Sequence, residues 1–143
     1  MVSEHFFTCE QVVELIDKFD KVFAQVAIAV SCFARLTDPE NFAHTLYKVL
    51  TRAAFLEVTS RLGWLHVCNE AHPFMRYELD MAQKDERELM KRLGKMAKAR
   101  GDVLHEDCDM SERTVPTSGS MPSDGVVVFD YMSKEAFLSL IHI

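Results

Sequence analysis

Apolar residues recur at alternating intervals of four and three along the first quarter of the chain. This spacing returns each apolar residue to the same side of an α-helix and is typical of a coiled-coil seam. Further apolar residues lie on both flanks of the seam, so the buried stripe is wider than a two-stranded coiled coil requires. The pattern predicts a helix over residues 8–36 that contacts more than one neighbour. Its seam, which is the predicted interaction face, consists of Val12, Ile16, Phe19, Phe23, Val26, Val30 and Phe33.

A second helix is predicted directly after this one. Asp38, Pro39 and Glu40 are typical of a helix start, because proline has no N–H to lose there and acidic side chains favour the positive end of the helix dipole. The apolar 4-3 spacing then resumes and predicts a helix over residues 39–70. Pro73 follows it and would stop any longer helix.

A third helix is predicted over residues 74–100, with a narrower apolar stripe. Gly101 follows it, and glycine readily adopts the left-handed conformation that ends helices. The connections between the predicted helices are short, so consecutive helices should be antiparallel neighbours. We therefore expect a mainly α fold over residues 1–101: a long antiparallel helical hairpin joined by a third helix into a three-helix bundle with coiled-coil-like packing.

The helical pattern ends after this glycine. Residues 102–125 contain clustered acids, many hydroxyl side chains, two prolines and repeated glycines, a composition that predicts a flexible acidic linker. The apolar run VVVFDY comes next and predicts a short C-terminal β-strand. We expect residues 126–137 to be the start of a strand-containing segment.

The chain stops on the apolar run LSLIHI at residues 138–143. The mosaic-end adapter of a common sequencing transposon encodes the same six residues in one of its reading frames. We therefore expect this tail to be non-native, the genuine sequence to stop near Phe137, and the chain to be truncated. On this reading His142 has no functional role.

Composition narrows the class of protein. The 143 residues are 48% hydrophobic and 27% charged, which suits one globular domain. The formal net charge of −6 argues against nucleic acid as a partner. The longest apolar stretch, Val22 to Ala34, contains Gln25 and is shorter than the roughly 20 apolar residues of a membrane span. We expect no association with a membrane.

Positive charges are concentrated on one side of the third predicted helix. Their 3-4-4-3 spacing places them on a single face, along which phosphates or an acidic protein surface could lie. The simpler alternative is a solvated face whose cations complement the negative end of the helix dipole. The acids between Asp102 and Glu112 could also fold back onto this face and compete with an external anion. The candidate anion-binding residues are Lys84, Arg87, Lys91, Lys95 and Lys98.

Cysteine and histidine give no metal prediction. His66, Cys68, Glu70 and His72 are close in sequence, but the chain has no Cys-x-x-Cys or His-Glu-x-x-His spacing. It also has no Gly-rich phosphate loop and no nucleophile elbow, so no catalytic residue, metal or cofactor is predicted. The dispersed cysteines, with no signal-peptide pattern ahead of them, favour the cytoplasm or another reducing intracellular compartment.

These patterns favour a non-enzymatic helical module for interaction or assembly. Such a module would self-associate, or dock onto a larger complex, through its helix faces. An alternative is that the helices precede the missing part of a truncated enzyme or ligand-binding protein, whose α/β region begins near Gly125. A second alternative is a polyanion-binding face on the third helix.

Overall fold

The computed structural model describes residues 6–107, 109–116 and 121–141. The chain divides into two compact units, Met1–Asn69 and Glu70–Ile143. The division follows Asn69, whereas the sequence places the end of its helical domain at residue 101. We call these units 1 and 2 and describe each by itself.

Unit 1 is helical. Its helices are α1 (Cys9–Ile16), α2 (Val22–Phe33), α3 (Phe42–Val49), α4 (Arg52–Leu62) and α5 (Trp64–Val67), with a 3₁₀ turn at Pro39–Asn41 before α3. Helix α2 packs against α1 and α4, and α3 packs against α1. Edge-to-face aromatic contacts, such as that between Phe33 and Phe42 at 4.8 Å, help to fill the core.

The single helix predicted over residues 8–36 is two helices. The N–H groups of Lys18 and Phe19 bond the carbonyls three residues earlier in tight turns that end α1, and the chain then reverses. The side-chain amide of Gln25 donates to the carbonyl of Phe19 at 2.8 Å and satisfies this turn. The 4-3 spacing could not reveal the reversal, because two short helices folded against each other can bury the same residues as one long helix.

The second predicted helix is also interrupted. After the 3₁₀ turn and α3, Leu50 takes an extended conformation. Thr51 then starts α4, since its hydroxyl accepts from the N–H of Ala54. Gly63, with φ of 88°, separates α4 from α5, and a side chain is strained at such a positive φ. Apolar periodicity persisted across these breaks because each short helix faces the same core.

The start of α1 is tied to the end of α2. The N–H of Phe7 donates to the carbonyl of Arg35 and the N–H of Thr37 donates to the carbonyl of Phe7, both at 2.9 Å. Asp38 then accepts from the N–H of Cys9, the first residue of α1, at 2.9 Å. Sequence reasoning assigned Asp38 to the start of the second helix, whereas its carboxylate satisfies the first turn of α1.

Unit 2 is built on an antiparallel sheet, which corrects the three-helix bundle prediction. Its strands are β1 (Arg76–Asp80), β2 (Val103–Glu106) and β3 (Val126–Met132), and its helices are α6 (Lys84–Arg100) and α7 (Lys134–Ile141). The strand order is β1-β3-β2, with β3 antiparallel to both neighbours. Helix α6 packs against the outer strands. The fold is therefore mixed α/β rather than mainly α.

The helix predicted over residues 74–100 begins as strand β1. Tyr77 and Leu79 are buried and alternate with half-buried polar residues, the two-residue period of a strand with one face on the core. Tyr77 stacks on Phe129 of β3 at 5.4 Å. Helix α6 follows and ends at Arg100, and Gly101 takes the left-handed conformation with φ of 74°, as predicted.

The region predicted as a flexible linker contributes to the sheet. Residues 103–106 form β2, and the chain then continues alongside β3. The N–H groups of Asp107 and Glu112 donate to the carbonyls of Val128 and Val126, and the hydroxyl of Ser111 accepts from the N–H of Val128. Residues 108 and 117–120 of this region lie outside the described residues. The strand predicted near the C-terminus is β3, the central strand of the sheet. The acidic segment before it lies alongside β3 and is held there by these backbone hydrogen bonds.

The final element is α7, whose first turn is capped by the hydroxyl of Ser133, a bond that it accepts from the N–H of Ala136. The tail expected to be non-native, residues 138–143, overlaps this helix as far as Ile141, and residues 138–141 are exposed. Residues 142 and 143, including His142, lie outside the described residues. The origin of the tail stays a prediction.

Replacing Asp38 by asparagine should lower the free energy of unfolding by about 1 kcal/mol at neutral pH, because the first turn of α1 loses a charged acceptor. Burial alone would raise the pKa of Asp38, but the hydrogen bonds from Cys9 and Asn41 hold it below its usual value. The stabilisation is thus present above the unfolded pKa, about 3.9, and lost as the pH falls through the lower folded value. In urea unfolding, the difference between wild type and variant should shrink at low pH. A constant difference would contradict this role.

Replacing Phe129 by alanine should lower the free energy of unfolding of unit 2 by about 3–5 kcal/mol, because a fully buried aromatic side chain of the central strand is lost. The control is Phe137→Ala on α7, where the side chain is only half-buried and the loss should be clearly smaller. Chemical unfolding measures both variants. Equal losses would contradict the central position of β3.

Candidate docking surface

Helix α2 carries no charged side chain. Its sequence, VFAQVAIAVSCF, has only Gln25 and Ser31 as polar residues. Val26, Ala29 and Cys32 are buried and hold the helix on the rest of unit 1. A helix that is apolar all round is expected to be covered on all sides, so the remaining face of α2 is the feature that needs an explanation.

That remaining face is exposed. Phe23 is 72% exposed, Val22 47% and Phe19, in the turn before the helix, 46%. Ala27, one turn beyond Phe23, is also exposed. We call Phe19, Val22, Phe23 and Ala27 the α2 surface. Single exposed apolar residues are normal on proteins, whereas a contiguous group marks a site of interaction.

The structure separates the seven residues of the predicted interaction face. The reversal after α1 breaks the seam, so its members no longer share one side of one helix. Two lie on the exposed α2 surface, and the others contribute to the core or its edge. Val12, Ile16 and Val26 are buried, Val30 and Phe33 are half-buried, and Phe19 and Phe23 are exposed.

An open groove of about 380 Å³ lies between the outer side of α1 and the segment before it. Phe6, itself 62% exposed, and Phe7 supply aromatic lining. The groove can accept an apolar side chain between rims that carry polar groups. Its lining residues are Phe6, Phe7, Gln11, Glu14, Leu15 and Lys18. Sequence reasoning missed Phe6, because no periodic pattern includes it.

The candidate anion-binding residues lie together on the outer side of α6. The opposite side of this helix buries Leu89, Met90, Leu93 and Ala97. No described acidic side chain forms an ion pair with any of the candidate anion-binding residues. We call this set the basic α6 face: Lys84, Lys91, Lys95 and Lys98, all exposed, and Arg87, half-buried.

The acids that follow α6 bond elsewhere in unit 2. Asp102 accepts from the hydroxyl of Tyr131 at 2.8 Å, and Glu106 accepts from the N–H of Val115 at 3.0 Å. Asp107 pairs with Arg76 at 3.2 Å. The prediction that these acids fold back onto the basic face is therefore wrong for these three residues.

The sheet also assembles a charge cluster that the sequence did not reveal. The guanidinium of Arg76 on β1 donates two hydrogen bonds, of 3.0 and 3.1 Å, to the carboxylate of Asp130 on β3. Its third nitrogen reaches Asp107. Arg76 and Asp130 are 54 positions apart and meet only because they are register partners. The cluster is half-buried and joins strands, as cross-strand charge pairs do.

The two buried thiols of unit 1, Cys9 and Cys32, are poor nucleophiles. Burial and the adjacent carboxylate of Asp38 raise the pKa of Cys9 to about 12, and burial also raises the pKa of Cys32. The reactive form of cysteine is the thiolate, so both side chains stay protonated at neutral pH. Within residues 6–107, 109–116 and 121–141, no group of three or more His, Cys, Asp or Glu side chains could hold a metal ion.

In the described part of the chain, no helix is both long enough and apolar enough to cross a membrane.

Comparison with known protein families gives a match at the start of the chain. Residues 1–55 match the model of a domain of unknown function, DUF4476. The matched region includes α1, α2 and α3 of unit 1 and therefore the whole α2 surface. No curated protein and no solved structure matches the chain. The similarity covers less than half of the chain and carries no activity with it.

Proposed function

We propose that the protein is a non-enzymatic interaction module that docks through the α2 surface onto an apolar helix surface, either of a second copy or of a larger complex. The observation that carries this proposal is the 72% exposure of Phe23 on a helix without a charged side chain. A solvated helix face normally carries polar residues, and this one does not.

The free energy gained by burying the α2 surface is large enough to contribute to specific binding. Burying one phenylalanine side chain contributes about 2 kcal/mol, and Phe19 and Val22 add to it. An interface must still offset the lost translational and rotational freedom of the partners. Such a surface therefore supports association only as the centre of a larger contact.

Two observations favour a module over an enzyme. The buried thiols of Cys9 and Cys32 are held protonated, and the charge cluster around Arg76 is engaged in pairing strands. The alternative of a truncated enzyme, with an α/β region beginning near Gly125, does not fit the sheet of unit 2. A region containing Val126–Met132 includes the earlier strands β1 and β2, so it does not begin at Gly125.

A reducing intracellular compartment, the cytoplasm included, is part of the same proposal. It is supported by Cys9 and Cys32, which are buried thiols outside any disulfide in the described part of the chain.

The test compares three single substitutions to glutamate. Phe23→Glu should leave folding unchanged, because the side chain is exposed, and should weaken self-association about thirtyfold or more, the equivalent of about 2 kcal/mol. Val49→Glu is the matched control, because it replaces an exposed apolar residue on α3 and should change neither property. Val26→Glu should unfold unit 1, because it buries an unpaired charge. Sedimentation equilibrium and thermal unfolding measure the outcomes.

If the wild type is monomeric, the occupant is a different protein, which photo-crosslinking can find. A photoreactive residue at position 23 should then crosslink a partner in a cell extract, whereas one at position 49 should not. Equal crosslinking from both positions, or unchanged association in Phe23→Glu, would contradict the proposal.

A further inference from the structure

Two oppositely charged faces of the chain carry the same spacing. On α1 and its C-terminal cap, the exposed acids Glu10, Glu14 and Asp17 follow intervals of four and three. We call these three residues the acidic α1 face. On the basic α6 face, Lys91, Lys95 and Lys98 follow the same intervals. Three charges at this spacing extend over about 10 Å of helix, so each set forms a short line of charge with the same length as the other.

Both lines of charge are open to solvent. Each of the six side chains belongs to an exposed residue, and within the described part of its own unit none of the six forms an ion pair. Neighbouring Arg92, by contrast, is within 3.6 Å of carboxylates of both Glu70 and Glu88. Three of the acids that could have neutralised the basic face, Asp102, Glu106 and Asp107, are held by Tyr131, Val115 and Arg76.

We infer that the basic α6 face binds the acidic α1 face of a second copy of this chain. Charge complementarity selects this occupant, because three carboxylates meet three ammonium groups at matching intervals. A nucleic acid or another long polyanion would extend beyond the line of cations and meet a chain of net charge −6. The face also has no interleaved aromatic side chain on which bases could stack.

This contact differs in kind from docking through the α2 surface. It joins two different faces, so a dimer still offers one free acidic face on one copy and one free basic face on the other, and the association can continue beyond a dimer. Exposed ion pairs contribute little each and are screened by salt. The contact should therefore be weak, concentration-dependent and lost at high ionic strength, whereas an apolar contact persists there.

Charge reversal on each face tests the inference. Lys91→Glu/Lys95→Glu and Glu14→Lys/Asp17→Lys should each weaken self-association about tenfold or more in about 0.01 M salt, where the Debye length is about 30 Å. In each variant alone, the α6 face and the α1 face carry charge of the same sign, so two copies of that variant repel each other at this contact. An equimolar mixture should recover association, because the reversed α6 face of one variant matches the reversed α1 face of the other. Sedimentation velocity measures all three samples, and thermal unfolding verifies that the variants fold.

The matched control is Lys48→Glu/Lys134→Glu. It changes the net charge by the same amount as the α6 reversal, but on exposed residues of α3 and α7, and it should associate like the wild type. Unchanged association in either reversal variant, no recovery in the mixture, or a wild type that stays monomeric in low salt would overturn the inference. Binding of a DNA duplex by the wild type, with self-association unchanged in Glu14→Lys/Asp17→Lys, would instead make the α6 face a polyanion site.

The inference stands apart from the proposed function. Phe23→Glu removes only association that survives about 1 M salt, where the Debye length is about 3 Å. The reversal variants remove only association that is lost there, so either result can fail without the other.

Discussion

The pairing of β3 with a strand on each side is the interaction on which unit 2 depends. Strands β1 and β2 do not pair with each other in the sheet. Each therefore forms its interstrand backbone hydrogen bonds with β3. The same strand carries Phe129 into the core and Asp130 to its partner Arg76. It also holds the acidic segment after β2, whose backbone N–H groups donate to its carbonyls.

A similar constraint shapes unit 1. Helix α2 has to bury an apolar surface that extends around its whole circumference, and its neighbours α1 and α4 cover one part of it. The reversal between α1 and α2 brings Val12 and Val26 into one core and leaves Phe23 outside it. The exposed surface is therefore a consequence of how short helices pack, because a helix with an apolar circumference has more surface to bury than two neighbours can cover.

Charge is organised around these two cores. Asp102, Glu106 and Asp107 bond within unit 2, and among the described residues no ion pair engages the cations of the basic α6 face. The acids of α1 are likewise exposed. An apolar surface and two charged faces on one small chain are consistent with assembly, in which the apolar contact supplies affinity and the charged contacts supply orientation.

The sequence by itself determined local features. The stop of α6 at Gly101, the Ser133 cap of α7 and the shared face of the lysines on α6 follow from interactions within one or two turns of chain. Tertiary structure decided the rest. Whether Phe23 is buried depends on where the chain reverses, and whether residues 76–80 form a strand depends on β3, about 50 positions away. Apolar spacing indicates which residues are buried. It does not indicate whether one long helix or several short elements bury them, because both arrangements are compatible with the same spacing.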